Sequence, residues 1–391
     1  MLGYRKRSFT EAFALLEALR ANKADFTSLK KLQQLLLREI VRAEKKIRNL
    51  KAEQKGVQKA GGKQAAKRSS QLKVRIERYR QNAYIWRCFG DAIAFLYMDK
   101  HALKQVFFNV MNRNPKNTAG FILGKDGLAM EIAHLEYALE QKVPSLLTDL
   151  TNTIRHGDIC LMDGPDPYLI EVKVGNKLDR RGKKQKRNIE VLHGFFENDK
   201  ARGLRGIQAE IRRQEFQTPE RTYVVEIGDC IAEAIKQGHA TRQPESGLYY
   251  IAFTKDISDI SQILAPLKVK EPWLFQLNEF KATRAWAPYS PFTLTLQNKE
   301  NLWAFIEGNV VVLVLFDLER LTTIAKEKGY DAKLEPDSEG LPEFKIQIPD
   351  AGGYVGPSAQ FLARIPMEFV SPDWLVTASI EMLVSAAQAQ A

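Results

Sequence analysis

Three ionisable residues sit on strand-like segments that are otherwise apolar. The segments are Gly157-Asp158-Ile159-Cys160-Leu161-Met162 and Tyr168-Leu169-Ile170-Glu171-Val172-Lys173-Val174, joined through Asp163-Gly164-Pro165-Asp166-Pro167. Both alternate with the two-residue period of a β-strand. Ile159 and Leu161 fall on one face and Asp158 on the other. Ile170, Val172 and Val174 share a face, with Glu171 and Lys173 opposite. Pairing the strands would gather two carboxylates and an ammonium on one side of the ribbon, which is costly in a core and useful in a site. Carboxylates suit a hard divalent ion such as Mg²⁺ (or Mn²⁺), which takes oxygen ligands and keeps waters. Such an ion acts as a Lewis acid and lowers the pKa of a bound water, as a hydrolytic centre needs. The ammonium of Lys173 would orient that water or stabilise developing negative charge. Beside two carboxylates its charged form is favoured, so an electrostatic role is preferred to that of a general base. The alternative is a ladder of surface ion pairs across a hairpin.

The elements around the ribbon set its context. Gly127 to Lys142 reads as a helix with Ile132, Leu135 and Leu139 on its apolar face and Glu131, Glu136 and Glu140 as acidic members. Leu146 to Ile154 reads as a strand. After the two ribbon strands comes a basic loop, Asn176 to Lys184, then a helix from about Gln185 to Asn198. Valine-rich Thr222 to Ile227 reads as a last strand. The order is αβββαβ. With Gly-Asp on one strand and Glu-Val-Lys on the next, the stretch from Gly127 to Ile227 resembles the PD-(D/E)XK nuclease family, whose fold is restriction-endonuclease-like. Gly157 stands where the motif name has proline.

The resemblance implies Asp158 as the first motif carboxylate and Glu171 and Lys173 as the second half of the motif. It implies a metal held by Asp158, Glu171 and the Val172 backbone carbonyl. It adds Glu131 from the preceding helix, with Glu136 in reserve, and Gln185 as a polar residue near the site. Lys183, Lys184, Lys186 and Arg187 flank Gln185 and could hold phosphates. The plainer reading of these four is a basic helix start, although cations there oppose the helix dipole. His156 lies two residues before Asp158 and could touch phosphate or support the metal, or be a structural histidine. Gly120-Phe121-Ile122-Leu123-Gly124-Lys125-Asp126 is one residue short of a phosphate-binding P-loop and has Asp where Ser or Thr must hold the metal, so it is set aside.

The chain has 391 residues, 45% of them hydrophobic, and a net charge of +11. Between Arg42 and Arg80 there are 14 Lys or Arg and 3 Glu, which accounts for the whole excess. A localised basic region suggests a polyanionic partner, here nucleic acid; a solvated helix face is the plainer alternative. Phe9 to Met98 is helical by pattern. Leu29, Leu32, Leu36, Ile40, Ala43, Ile47 and Leu50 recur at three and four residues. A glycine- and lysine-rich break from Gly56 to Ser70 follows, and the spacing resumes at Leu72, Ile76, Tyr79, Ala83, Trp86 and Gly90. This reads as an antiparallel helical hairpin. Lys55, Lys59, Lys63 and Lys67 near its tip are candidates for nucleic-acid contact; a dimerisation or partner-binding arm is the structural alternative.

The expected organisation is an α-helical hairpin over 1–105, a nuclease-like α/β core over 106–228 and an α/β accessory domain over 229–391. In the last, Gly247 to Phe253, Phe292 to Leu296, Val310 to Phe316 and Phe344 to Ile348 read as strands, and Cys230 to Gln237, Leu318 to Lys328 and Trp374 to Ala387 as helices. Trp273, Trp286 and Trp303 could stack bases, with core packing as the alternative. The longest purely apolar run, Val310 to Phe316, is too short to cross a bilayer. No signal peptide is read at the N-terminus. Cys88, Cys160 and Cys230 are widely spaced and form no CxxC, which suits a reducing compartment and a cytoplasmic location. The resulting expectation is a metal-dependent nuclease acting on DNA, similar in architecture to bacterial restriction or anti-phage effector nucleases, and oligomeric or partnered through the hairpin. A non-catalytic nucleic-acid-binding or assembly subunit on the same scaffold is the second expectation.

Overall fold

A computed structural model of the chain describes residues 3–116, 119–172, 180–254, 260–336, 342–348 and 353–388. The chain divides into two compact units, Met1–Arg213 with Ser290–Leu294, and Gln214–Tyr289 with Thr295–Ala391. The hairpin and the motif-bearing segment, read from sequence as separate domains, fall in the same unit. Small antiparallel sheets and many helices make a mixed α/β protein.

The first unit opens with α1 (Lys6–Ala21), α2 (Phe26–Ala60) and α3 (Gly62–Tyr97). The side chain of Asp25 caps α2 by accepting from the Ser28 N–H at 3.0 Å. The apolar row read from the sequence is buried along α2, from Leu29 to Leu50. Each fully buried leucine or isoleucine there contributes roughly 1.5–3 kcal/mol. Toward the tip Ile47, Leu50, Leu72 and Ile76 form their own small core, with Val57 and Tyr79 against it. The expected break over Gly56 to Ser70 is not a loop. Helix continues on both sides, rich in Lys, Ala and Gln, and the chain reverses at Gly61 and Gly62, where φ is +69° and +83°. A left-handed backbone of this kind favours glycine. Arg68 and Glu53, 2.6 Å apart, and Gln54 with the Ser69 carbonyl, at 3.2 Å, link the two helices below the turn.

After α4 (Lys100–Phe107) and α5 (Leu128–Glu140) come β1 (Ser145–Leu147), β2 (Ile159–Leu161) and β3 (Tyr168–Ile170), an antiparallel sheet in that order. Cys160 faces Leu169, and Ile159 faces Ile170. The strand expected over Leu146 to Ile154 ends at Leu147 and gives way to a 3₁₀ turn, Thr148–Leu150. Tertiary hydrogen bonds from α3 replace the ladder there, because the carboxylate of Asp91 accepts from the N–H groups of Asn152 and Thr153 at 2.7 and 2.8 Å. The side-chain amide of Gln33 on α2 completes the edge of β1, donating to the Ser145 carbonyl and accepting from the Leu147 N–H. Beyond the sheet lie α6 (Arg180–Asn198) and a two-stranded ribbon of β4 (Lys200–Arg202) and β5 (Glu210–Arg212).

The second unit contains α7 (Val224–Gln237) and a four-stranded antiparallel sheet in which β6 (His239–Glu245), β7 (Leu248–Thr254), β9 (Val310–Asp317) and β8 (Pro272–Gln276) are neighbours in that order. Two expected strands are helices. Thr222 makes only an isolated bridge to Val370, and Val224 to Ile227 opens α7, whose buried Ile227, Cys230, Ile231 and Ala234 carry helical spacing that outweighs the β-branched Val224 and Val225. Phe292–Thr295 is a short helix. The expected last strand of the αβββαβ order is therefore absent at that position, and the strand that follows α6 is β4, outside the three-stranded sheet. Trp286 is buried against Phe305, and Trp273 packs edge-on against Phe275, so both serve packing. The cysteines are buried and free. Among the described residues no helix is long and apolar enough to cross a membrane.

Two glycines test this packing. A Cβ on Gly90 of α3 would lie 1.9 Å from the Leu150 carbonyl oxygen, whereas one on Gly56 of α2 would meet nothing. Gly56→Ala should stabilise the protein by about 0.5–1 kcal/mol in urea denaturation. Gly90→Ala should destabilise it by about 1–3 kcal/mol despite the same helical gain. Equal effects would contradict the close approach of α3 to the 148–153 turn.

Candidate functional site

The backbone of Asp158 is held on both sides. Its N–H donates to the Ile170 carbonyl at 2.8 Å, and its carbonyl accepts from the Thr148 N–H at 3.0 Å. Continuing the β2–β3 register by one residue sets Asp158 across from Glu171. The residue before it, Gly157, has φ of +72°, and a Cβ there would sit 3.0 Å from the Ile170 carbonyl oxygen. Proline cannot take that φ.

The Asp158 side chain divides its two oxygens. Oδ2 accepts from the Val172 N–H at 2.9 Å. Oδ1 accepts from the ammonium of Lys125 at 2.8 Å. The same Nζ lies 2.8 Å from Asp149 Oδ2 and 2.9 Å from Glu131 Oε1. Three carboxylates thus surround one cation, coming from the first turn of α5, the 3₁₀ turn after β1 and the start of β2. Glu131 is nearly fully buried, and its carboxyl is pushed above the usual range by burial, against the pull of Lys125. Burial disfavours the Lys125 charge, but Asp149, Asp158 and Glu131 together outweigh it and raise the pKa.

Glu171 has its own partner, since Gln185 on α6 donates Nε2–H to its Oε2 at 2.6 Å. The structure thus joins Asp158 with Glu131 through Lys125, and Glu171 with Gln185. Glu136, the reserve, does not join the cluster and pairs with Lys30 at 2.8 Å. Lys173 lies outside the described residues. Helix α6 begins at Arg180, earlier than Gln185, and Lys183, Lys184, Lys186 and Arg187 are exposed in its first turns. Lys55, Lys59, Lys63 and Lys67 are exposed at the hairpin tip, and no carboxylate among the described residues pairs with them. His156 is a structural residue. It is 1% exposed, its Nε2 faces the Phe108 carbonyl and its Nδ1 faces Lys116, and burial lowers its pKa to about 4.

Sequence reasoning missed Lys125 and Asp149. By sequence Lys125 is only the lysine of an incomplete P-loop, and Asp149 lies inside the strand expected over Leu146 to Ile154. Helix α3 holds both carriers in place. Arg87 donates Nε–H to the Asp149 carbonyl at 2.9 Å and pairs with Glu44 of α2 at 2.9 Å. Glu44 in turn accepts from the Leu123 N–H at 2.9 Å, anchoring the loop that bears Lys125.

Among the described residues no group of three or more His, Cys, Asp or Glu side chains is arranged to hold a metal ion. The donors stand at ammonium distance, 2.8–2.9 Å, where Mg²⁺ requires about 2.0–2.1 Å. The donor chemistry nevertheless fits such an ion, because the cluster is made of carboxylate oxygens and already holds a cation. Comparison with family models, with curated proteins and with solved structures finds no match to this chain.

The Arg87–Glu44 pair is buried on both sides. Arg87→Met should cost about 3–5 kcal/mol in urea denaturation, because it strands the Glu44 carboxylate without its partner. A loss below about 1 kcal/mol would contradict the anchoring role.

Proposed function

We propose that this protein is a metal-dependent nuclease that hydrolyses phosphodiester bonds of DNA at the Asp158–Glu171 ribbon. The observation that carries the reading is a single cation position bounded by carboxylates from three separate elements, on a ribbon whose register sets Asp158 across from Glu171. Asp158 and Glu171 would hold a divalent ion, Mg²⁺ or Mn²⁺, with Asp149 and Glu131 as further oxygen donors; the family resemblance adds the Val172 carbonyl. Such an ion supplies Lewis-acid polarisation of a phosphoryl oxygen and a water of lowered pKa. The chain's own groups orient the donors. The Val172 N–H fixes one oxygen of Asp158, and the Gln185 amide fixes one oxygen of Glu171. Lys173, by its place in the motif, stabilises charge at the phosphate. Lys183, Lys184, Lys186 and Arg187, on the helix that carries Gln185, bind backbone phosphates, and the hairpin tip adds affinity that does not depend on sequence. A role in restriction or anti-phage defence rests on analogy of architecture alone.

A second reading follows from Lys125. An ammonium that already neutralises the carboxylates is what a non-catalytic scaffold would need, with the hairpin binding nucleic acid or a partner.

Cleavage of plasmid, linear and single-stranded DNA and of RNA in Mg²⁺ and Mn²⁺ separates the two. The nuclease reading expects metal-dependent cleavage that falls by about a hundredfold or more in Asp158→Ala and in Lys173→Ala, with circular dichroism unchanged. Cleavage persisting in both variants contradicts the site, and no cleavage by the wild type under any condition supports the scaffold. Replacing Lys55, Lys59, Lys63 and Lys67 with Glu should weaken DNA binding and flatten the dependence of log K on log salt by up to about 4. A changed oligomeric state with unchanged binding would make the hairpin an assembly arm.

A further inference from the structure

We propose that the Lys125 side chain is a resident cation that a divalent metal must displace, so that this one lysine sets the metal affinity of the cluster. The inference rests on the metal-dependent reading above and adds to it a built-in competitor. Lys125 Nζ makes hydrogen-bond-length contacts with Asp149 Oδ2, Asp158 Oδ1 and Glu131 Oε1, at 2.8, 2.8 and 2.9 Å. An ammonium has three donors, and three carboxylates use them all. Ammonium and metal therefore compete for the same oxygens, and both cannot be satisfied at once.

The backbone permits the exchange without rearranging the fold. On one side Ile122 is fully buried and the Leu123 N–H is held by Glu44. On the other the Leu128 N–H donates to the Lys125 carbonyl at 3.3 Å as α5 begins. The Lys125 side chain is 28% exposed, so its long stem has a path to water, while Glu131 and Asp158 are 3% and 11% exposed. Departure of the ammonium takes it toward water and leaves three carboxylates to close from ammonium distance onto a smaller ion. A divalent charge compensates them better than a single one. Loss of Lys125 removes the competitor and also leaves the metal-free cluster self-repelling, and both effects favour metal.

Mn²⁺ titration of the full chain, followed by the electron paramagnetic resonance signal of the free ion, tests this. The wild type should bind Mn²⁺ weakly, and Lys125→Met should bind it at least about tenfold more tightly, having lost three charge-assisted hydrogen bonds that oppose metal entry. Lys125→Gln, which keeps a polar side chain without the charge, should also bind more tightly. Asp158→Asn should abolish binding in either background. A second readout uses the unaltered protein, in which Mg²⁺ should increase the labelling of Lys125 by an amine-reactive ester, measured by mass spectrometry. Equal affinity in wild type and both variants, or labelling of Lys125 unchanged or reduced by Mg²⁺, overturns the inference and leaves the metal-dependent reading standing. Absence of any Asp158-dependent Mn²⁺ binding in all forms overturns both.

Discussion

Three carboxylates from three elements approach one ammonium at 2.8–2.9 Å. Without a cation the three could not share that volume, because like charges at such separation repel strongly where water is partly excluded. The Lys125 ammonium therefore does more than pair charges. It ties the loop before α5, the first turn of α5, the 3₁₀ turn after β1 and the start of β2 to a single point. The neutralising cation is a side chain, and the proposed metal chemistry requires another cation to take its place.

The position of the cluster is set from behind by one face of α3. Arg87, Gly90 and Asp91 stand at helical spacing and each meets the turn that carries Asp149. Arg87 holds the Asp149 carbonyl, Gly90 lets the helix approach Leu150, and Asp91 accepts from the N–H groups of Asn152 and Thr153. Lys67 lies twenty residues along the same helix from Arg87, about 30 Å at the rise of an α-helix. One element thus builds the wall of the site at its base and carries exposed positive charge toward its tip.

The hairpin was legible because a long row of apolar residues at three- and four-residue spacing has no other reading. The ribbon of Asp158 and Glu171 was legible from alternation and a turn rich in Pro, Gly and Asp. The break expected over Gly56 to Ser70 is too long, since glycine and lysine composition suggests a loop where two residues with positive φ, Gly61 and Gly62, suffice. Thr222 to Ile227 was misread because two valines at the start of α7 carried more weight than the helical spacing of Ile227, Cys230, Ile231 and Ala234. Lys125 and Asp149 were not legible at all. Their importance arises from long-range contacts, with Asp158 thirty-three residues from Lys125 and Glu44 far earlier in the chain, and no local pattern encodes these.

The proposed divalent-metal site lies at the cation position among Glu131, Asp149 and Asp158. Anomalous diffraction from crystals of the protein grown with Mn²⁺ tests it most directly. The account predicts an anomalous peak among Glu131, Asp149 and Asp158, with the Lys125 ammonium withdrawn. Crystals with no peak there and Lys125 still seated among the three carboxylates would contradict it.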